Sequence, residues 1–327
     1  MLTARIMVGD AVARLRELPD GSVRTCVTSP PYWGLRDYGN DGQLGLEPTP
    51  QEFVENLCQV FDEVWRVLAD DGTVWVNLGD TYANNGGSVQ PQRDNSGGIS
   101  KTTLKSRGTQ GYSGATGGFE RPKSIGNAIK AKDLVGIPWR FAFAMQDRGW
   151  YLRQDIIWAK PNPMPESVTD RCTKSHEYVF LLTKNPRYYF DHEAIKEPAI
   201  HANDRRNGKG RHTYTGKRAE NDGLVQQFFV TVNDTRNKRS VWTVNTKAYK
   251  EAHFAVYPPE LITPCVLAGS GEGDTVLDPF SGSGTTGEVA LQNGREYIGV
   301  ELNPNYAELS QRRITKAIGM LGKVELC

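Results

Sequence analysis

The run Thr275-Val276-Leu277-Asp278-Pro279-Phe280-Ser281-Gly282-Ser283-Gly284-Thr285-Thr286 is the feature that most constrains the fold. Its apolar start reads as a strand, Pro279 and the glycines end that strand, and Thr285 opens a helix that reaches Asn293. A strand that breaks into a Gly-rich loop and then a helix is a unit of open α/β sheets, whose ligands sit at the strand carboxyl ends. Small residues let a ligand come close to the backbone, and the helix start offers free N–H groups.

The alternation of strand and helix extends over most of the 327 residues. Val23 to Thr28 reads as a short strand. Phe53, Leu57, Val60, Phe61, Val64 and Leu68 form one apolar stripe on a helix that Asp70-Asp71-Gly72 stops, and Thr73 to Leu78 follows as a strand. Pro138 suits a helix first turn and Gly149 its end. Tyr151 to Trp158 and Glu177 to Thr183 are two more strands, the second so apolar that it belongs inside the sheet. Pro258-Pro259-Glu260 opens a helix to Leu267, Tyr297 to Val300 is a strand, and Pro304 to Ile318 is the last helix. The predicted class is α/β. No run approaches the ~18 apolar residues of a membrane span, and the first ten residues lack a signal-peptide apolar block, so a cytoplasmic protein is expected. Five scattered cysteines without Cys-x-x-Cys spacing point to neither a disulfide framework nor a metal site.

Charge is near balance overall, 39 Lys and Arg against 38 Asp and Glu, yet it is unevenly placed. Residues 84–132, rich in Gly and Ser, hold eight basic and two acidic side chains, and residues 196–250 hold twelve basic and five acidic ones. In the second segment Arg205, Arg206, Arg211, Arg236, Lys238 and Arg239 alternate with Tyr214, Phe228, Phe229 and Trp242. Cations interleaved with aromatic rings can neutralise phosphates and stack on bases. Two such segments on an otherwise acidic chain point to a polyanion partner.

Two constellations carry chemistry. At the first, Asp278 ends one strand and Glu301 ends the next, where a carboxylate can take both hydroxyls of a ribose. The loop Phe280, Ser281, Gly282, Ser283, Gly284, Thr285 lacks the third glycine of the dinucleotide fingerprint and the Gly-Lys-Ser/Thr of a P-loop. A carboxylate in place of a phosphate clamp favours a cationic nucleoside. At the second, Val23 to Thr28 runs straight into Ser29-Pro30-Pro31-Tyr32-Trp33. The prolines freeze the backbone at the strand end. They hold the Ser29 hydroxyl and the Pro30 carbonyl as a fork of two acceptors beside the Tyr32 ring. An exocyclic amine on a heterocycle is a poor nucleophile, and such a fork can aim its lone pair at an electrophile by position rather than by a strong base.

Ser29-Pro30-Pro31-Tyr32 resembles the catalytic motif of amino-group DNA methyltransferases, and Asp278-Pro279-Phe280-Ser281-Gly282-Ser283-Gly284 resembles their S-adenosylmethionine loop. Catalytic motif first and cofactor loop last is the order of the permuted, β-type subgroup. The resemblance covers residues 1–83, 133–195 and 251–327. It implies a Rossmann-like S-adenosylmethionine-dependent fold, a mixed sheet with helices on both faces, permuted motif order and loop-rich basic insertions. It assigns Ser29, Pro30, Pro31 and Tyr32 to catalysis, and Asp10, Phe254, Asp278, Glu301 and the 280–285 loop to S-adenosylmethionine. Residues 196–250 take the place of a target-recognition region and residues 84–132 that of an insertion, with Trp33 and Lys160 as further DNA contacts. The implied partner is double-stranded DNA, and the family context adds a cognate restriction endonuclease and a homodimer.

Both cytosine N4 and adenine N6 present the same amino donor. Ser at the first motif position is commoner in cytosine-N4 members, so cytosine N4 is the reading taken, with adenine N6 the alternative. An RNA or protein-glutamine methyltransferase, a DNA-binding module without activity and a nicotinamide oxidoreductase are the more distant alternatives. His176 is read as a packing residue.

Overall fold

A computed structural model describes residues 2–37, 39–40, 42–83, 92–93, 129–130, 132–199, 212–219, 225–232, 234–247, 256–319 and 322–327, with backbone alone at 36–37, 92–93, 212–219 and 225–232. Phe254, Arg205, Arg206, Arg211 and nearly all of 84–132 lie outside the described residues.

The chain opens with β1 (Leu2–Val8), α1 (Ala11–Leu15), β2 (Val23–Thr28), β3 (Arg36–Asp37), α2 (Pro50–Val67), β4 (Leu68–Leu78) and β5 (Gln92–Arg93). Then come α3 (Ile137–Asp147), β6 (Tyr151–Ala159), β7 (His176–Thr183), β8 (Glu197–Pro198), β9 (His212–Ala219), β10 (Val225–Val232), β11 (Thr235–Arg236) and β12 (Val241–Thr243). The last elements are α4 (Pro259–Gly269), β13 (Thr275–Asp278), α5 (Thr285–Gln292), β14 (Glu296–Glu301), α6 (Pro304–Ile318) and β15 (Gly322–Leu326).

By its internal contacts the chain divides into two units, Met1–Phe190 with Ser240–Cys327, and Asp191–Arg239. The first holds a nine-stranded sheet in the order β12-β6-β7-β4-β2-β13-β14-β1-β15. Its pairs are parallel except β4 with β7 and β6 with β7. The apolar β7 lies inside it, as its composition predicts. The second unit contains the antiparallel pairs β9 with β10 and β8 with β11. The expected recognition segment 196–250 is thus divided, because Trp242 in β12 pairs with Trp158 on the edge of the large sheet.

Helix α2 shows why the local reading holds. Thr49 caps it by accepting from the Glu52 N–H at 3.1 Å, Pro50 fills the first turn, and Phe53, Leu57, Val60, Phe61 and Val64 are all buried. That stripe packs with Phe141 and Met145 of α3 over Cys26, Val74 and Leu277 of the sheet. The opposite face carries α4. There the Thr25 and Thr73 hydroxyls bond at 2.9 Å and the Trp75 indole donates to Thr73 at 3.1 Å. Gly269 closes over them, since a Cβ there would stand 2.5 Å from Thr73 Oγ1. The sheet therefore has helices on both faces, as expected of this α/β class. The strands β1 and β15 are additions to the sequence reading: the two chain ends pair in parallel from Leu2 with Gly322 to Ile6 with Leu326. Among the described residues no helix is long and apolar enough to cross a membrane.

Candidate active site

β2 and β13 are neighbours, with Leu277 beside Cys26, so the segments that follow them leave the sheet side by side. The Thr28 hydroxyl ties the two ends together by donating to Asp278 Oδ1 at 2.6 Å. Both segments face one cavity of about 500 Å³, lined by Ser29 to Tyr32 on one side and Phe280 to Ser283 on the other. Asp10, Thr285 and Glu301 also line it. Residues near 30 and near 280, separated by most of the chain, thus open onto the same space.

On the loop side, Glu301 Oε2 accepts from the Gly282 N–H at 2.8 Å and Oε1 from the Asn303 N–H at 2.9 Å. The carboxylate's remaining lone pair is left for a ligand. Burial pushes this carboxyl up to about 7, against the pull of those N–H donors. Asp10 follows β1, the strand next door, by two residues and caps α1 by accepting from the Ala13 N–H at 2.9 Å. The loop itself is braced from behind. Arg313 donates to Ser283 Oγ at 3.0 Å, to Thr285 Oγ1 at 2.7 Å and to Glu288 at 2.6 Å. Gly284 has φ 78°, and a Cβ there would come 2.3 Å from Ser310 Oγ and 3.0 Å from Ser310 Cα, so the turn admits only glycine.

Asp278 stands behind this wall rather than on it. It is 1% exposed and accepts from Thr28, from Thr286 at 2.6 Å, from Tyr257 at 3.1 Å and from the Phe280 N–H at 3.0 Å. Burial raises its pKa while these donors oppose the rise. It thus holds the start of the loop from behind and is not among the cavity-lining residues, where the sequence points to a direct cofactor contact. Tyr257, a cavity residue the sequence did not single out, has its hydroxyl against Asp278 and Thr286 and its pKa raised well above the usual value by burial.

On the Ser29 side, the Tyr32 hydroxyl donates to Glu177 Oε2 at 2.7 Å and lies 3.3 Å from Asn77 Oδ1. The Ser29 hydroxyl donates to the same Asn77 oxygen at 3.4 Å, which leaves its own lone pairs for an incoming N–H. Asn77 is in turn held by its Nδ2 donating to Glu177 at 3.2 Å and to the Tyr178 carbonyl at 3.1 Å. Gly79 gives the Tyr32 ring its room, because a Cβ there would meet ring carbon Cε2 at 2.5 Å. Lys160 pairs with Glu177 Oε1 and lies 4.2 Å from the centre of the Trp158 ring.

Asn77 and Glu177 were not named as site residues from sequence, although Glu177 stands in the strand that opens at His176. Several expected DNA contacts have other partners. Trp33 is 4% exposed in the main core, with its indole donating to the Glu47 carbonyl at 2.9 Å, so it does not line the pocket. Lys160 neutralises Glu177. Arg236 and Arg239, in the second unit, both donate to Glu197 Oε1, at 2.9 and 2.6 Å. Lys238, on the same segment, is half-buried. His176 packs edge-on against Tyr178, consistent with a packing role.

A family model described as DNA methylase, of the N6/N4 methyltransferase type, matches residues 23–312. The type II methyltransferase M.Cfr9I of Citrobacter freundii is 46% identical over 312 residues, covering 95% of this chain and 87% of that protein. M.SmaI of Serratia marcescens is 44% identical over 315 residues, with 96% and 91% covered. Among solved structures, PvuII DNA methyltransferase, described as cytosine-N4-specific, superposes with TM-score 0.61 at 17% identity over 99% of this chain and 94% of that one. A putative DNA modification methylase of Thermus thermophilus, complexed with S-adenosyl-L-methionine, gives 0.59 at 23% identity, with 99% of each chain covered. The fold is shared with both. Shared sequence over nearly the whole length, with both motifs facing one cavity, makes this chain a member of the N6/N4 DNA methylase family.

Proposed function

We propose that this enzyme transfers a methyl group from S-adenosylmethionine to the N4 amino group of a cytosine turned out of duplex DNA. One observation supports the reading above the rest: Ser29 to Tyr32 and the 280–285 loop face a single cavity, so an amine held by the first can meet a donor held by the second. The cavity residues fit the cofactor. They include the carboxylates of Asp10 and Glu301 and, among the described lining, no Lys or Arg. That suits a cationic nucleoside and does not suit a pyrophosphate. Glu301 would take the ribose hydroxyls, Asp10 the adenine end, and Phe280 with the 281–283 backbone the space between. When bound, S-adenosylmethionine supplies a methyl carbon activated by a sulfonium that departs as a neutral thioether.

The chain's own residues do the rest by placement. An amine inside the base stack cannot reach such a donor, so the base has to leave the duplex. Tyr32 offers it a stacking face, fixed at its hydroxyl by Glu177. The Ser29 hydroxyl and the Pro30 carbonyl accept the two amine N–H bonds and turn the nitrogen lone pair towards the methyl carbon. The nitrogen gains the methyl and gives up one proton. Charge is dispersed as the bond forms, which an apolar, water-poor cavity favours.

Ser29 at the first motif position supports cytosine over adenine. The Asp191–Arg239 unit, together with residues 84–132, is proposed to grip phosphates and read bases. A cytoplasmic setting, a cognate restriction endonuclease and a homodimer complete the proposal. The deciding experiment is nucleoside HPLC of duplex DNA incubated with the enzyme and S-adenosylmethionine. N4-methylcytosine is expected. A dominant N6-methyladenine peak would overturn the choice of base, and methyl incorporation into RNA or protein but not duplex DNA would overturn the substrate.

A further inference from the structure

Extruding a base leaves a gap in the stack, and proteins that hold such a distortion often fill it with an apolar wedge on a stiff support. Among the described residues the structure contains a candidate at the correct end of the sheet. β6 runs antiparallel to β7, β7 antiparallel to β4, and β4 parallel to β2, so β6 ends at the same edge as Ser29. The protrusion formed by residues 161–174 leaves from that end. It is closed at its base by the Lys160 N–H donating to the Ser175 carbonyl at 2.8 Å. It is rooted at the site itself, because the Lys160 ammonium holds the carboxylate that fixes Tyr32.

The protrusion is stiff on both sides of Met164. Pro161, Pro163 and Pro165 restrict its backbone. Asn162 is fastened to the neighbouring segment, its Oδ1 accepting from the Thr246 N–H at 2.9 Å and its Nδ2 donating to the Thr246 carbonyl at 3.2 Å. Glu166 accepts from Arg171 at 2.7 Å and from the Lys174 N–H at 3.1 Å, and the Arg171 guanidinium stacks 3.8 Å from the centre of the Tyr82 ring. Between these fixed points Met164 is 85% exposed, the most exposed of the large hydrophobic side chains among the described residues. Four residues of chain place it within about 14 Å of Lys160, Cα to Cα. So much bracing serves no packing of Met164 itself, which touches mostly solvent.

We propose that Met164 is the wedge that enters the base stack and occupies the space left by the target base. A long unbranched thioether adapts to an irregular gap between stacked bases, and its proline-bound stem keeps it aimed without an ordering cost on binding. This rests on the base-extrusion reading given above, and the test separates the two.

The test takes a duplex carrying the site mapped by sequencing DNA that the wild-type enzyme has methylated. Met164→Ala and Met164→Leu are compared with wild type on that duplex and on one with an abasic position opposite the target base, where extrusion is already easy. With pyrrolocytosine, a fluorescent cytosine analogue that pairs with guanine, at the target, fluorescence reports extrusion directly. Met164→Ala should lose about tenfold or more in kcat/KM and most of the fluorescence rise on the paired duplex, and recover to within about twofold of wild type on the abasic one. Met164→Leu should keep most of the paired-duplex activity, and S-adenosylmethionine affinity should be the same in all three. Wild-type rates for Met164→Ala on the paired duplex, or an equal loss on both duplexes, would overturn the wedge. A wild-type enzyme that methylates no duplex DNA would instead overturn the functional reading beneath it.

Discussion

The two walls of the cavity are built differently. The 278–285 wall is part of the core: Asp278 is closed by four donors, Arg313 joins Ser283, Thr285 and Glu288, and Gly284 presses against Ser310. The Ser29 to Tyr32 wall is half-buried, and hydrogen bonds from its functional side chains converge on Asn77 and Glu177. The loop wall must offer the same surface at every turnover to a ligand that enters alone. The tyrosine wall must admit a base delivered from a duplex and release it. Stability and cofactor binding should therefore be coupled on the loop wall, whereas catalysis should separate from stability on the tyrosine wall.

The largest effect is expected where the loop wall is cut. Asp278→Ala leaves the Thr28 hydroxyl and the Phe280 N–H without their acceptor in a buried place, and leaves Thr286 and Tyr257 with only each other and the Val27 carbonyl. Buried groups left without partners cost about 1–3 kcal/mol each, partly relieved by rearrangement, so a stability loss of about 3 kcal/mol is expected together with loss of cofactor binding. Thermal unfolding and a cofactor titration check both. If binding fell with an unchanged melting temperature, Asp278 would be a direct ligand after all.

Next comes Tyr32→Ala on the other wall. It removes the stacking face, a contact worth roughly 1–3 kcal/mol for a base, so kcat/KM for DNA should fall roughly 30-fold. The melting temperature should move little and cofactor affinity should hold. Equal loss of cofactor binding would break the separation of the walls.

A pH series sharpens the comparison from the loop side. Glu301 is raised from 4.5 to about 7 by burial. Between those two values the unfolded chain has released this proton and the folded one has kept it, so this group's contribution to stability declines as pH rises from about 4.5 to about 7. Binding a cation runs the other way, because the ionised carboxylate is the form that attracts it. Cofactor affinity should therefore rise about tenfold from pH 6 to pH 8, and Glu301→Gln should flatten the profile. A profile unchanged in Glu301→Gln would place the titrating group elsewhere.

The loop wall was largely legible in the sequence, and the tyrosine wall only in part, for a physical reason. Strand, glycine turn and helix start follow one another from Thr275 to Thr285, so the bracing glycine and the strand-end acids are visible as a local pattern. Asn77 and Glu177 are 100 residues apart and meet only because β4 and β7 pair antiparallel, with Leu78 opposite Tyr178. A local reading of one sequence does not show such a pairing. Trp33 misled for the same reason: its neighbour Tyr32 faces the cavity, but its own indole finds the Glu47 carbonyl across a loop. The terminal strand β15 is short and carries alternating polar residues, and what makes it a strand is its pairing with β1, which β14 holds on the other side.

The smallest expected effect is the most discriminating. Glu177→Gln keeps the shape of the side chain but removes the charge that Lys160 balances and weakens the bond that fixes Tyr32. Tyr32→Phe removes the hydroxyl from the other end of that bond. One half-buried hydrogen bond worth about 1 kcal/mol is at stake, so each change alone should lower kcat about fivefold to tenfold and leave the KM for S-adenosylmethionine unchanged. If the carboxylate acts by holding the ring, the double variant should lose little more than either single one, because the contact can be lost only once. If Glu177 merely supported the strand, the two losses would multiply and the melting temperature would fall with Glu177→Gln. Near-complete coupling with an unshifted melting temperature would locate the control of catalysis on the tyrosine wall in one hydrogen bond, in contrast to the many contacts that hold the loop opposite.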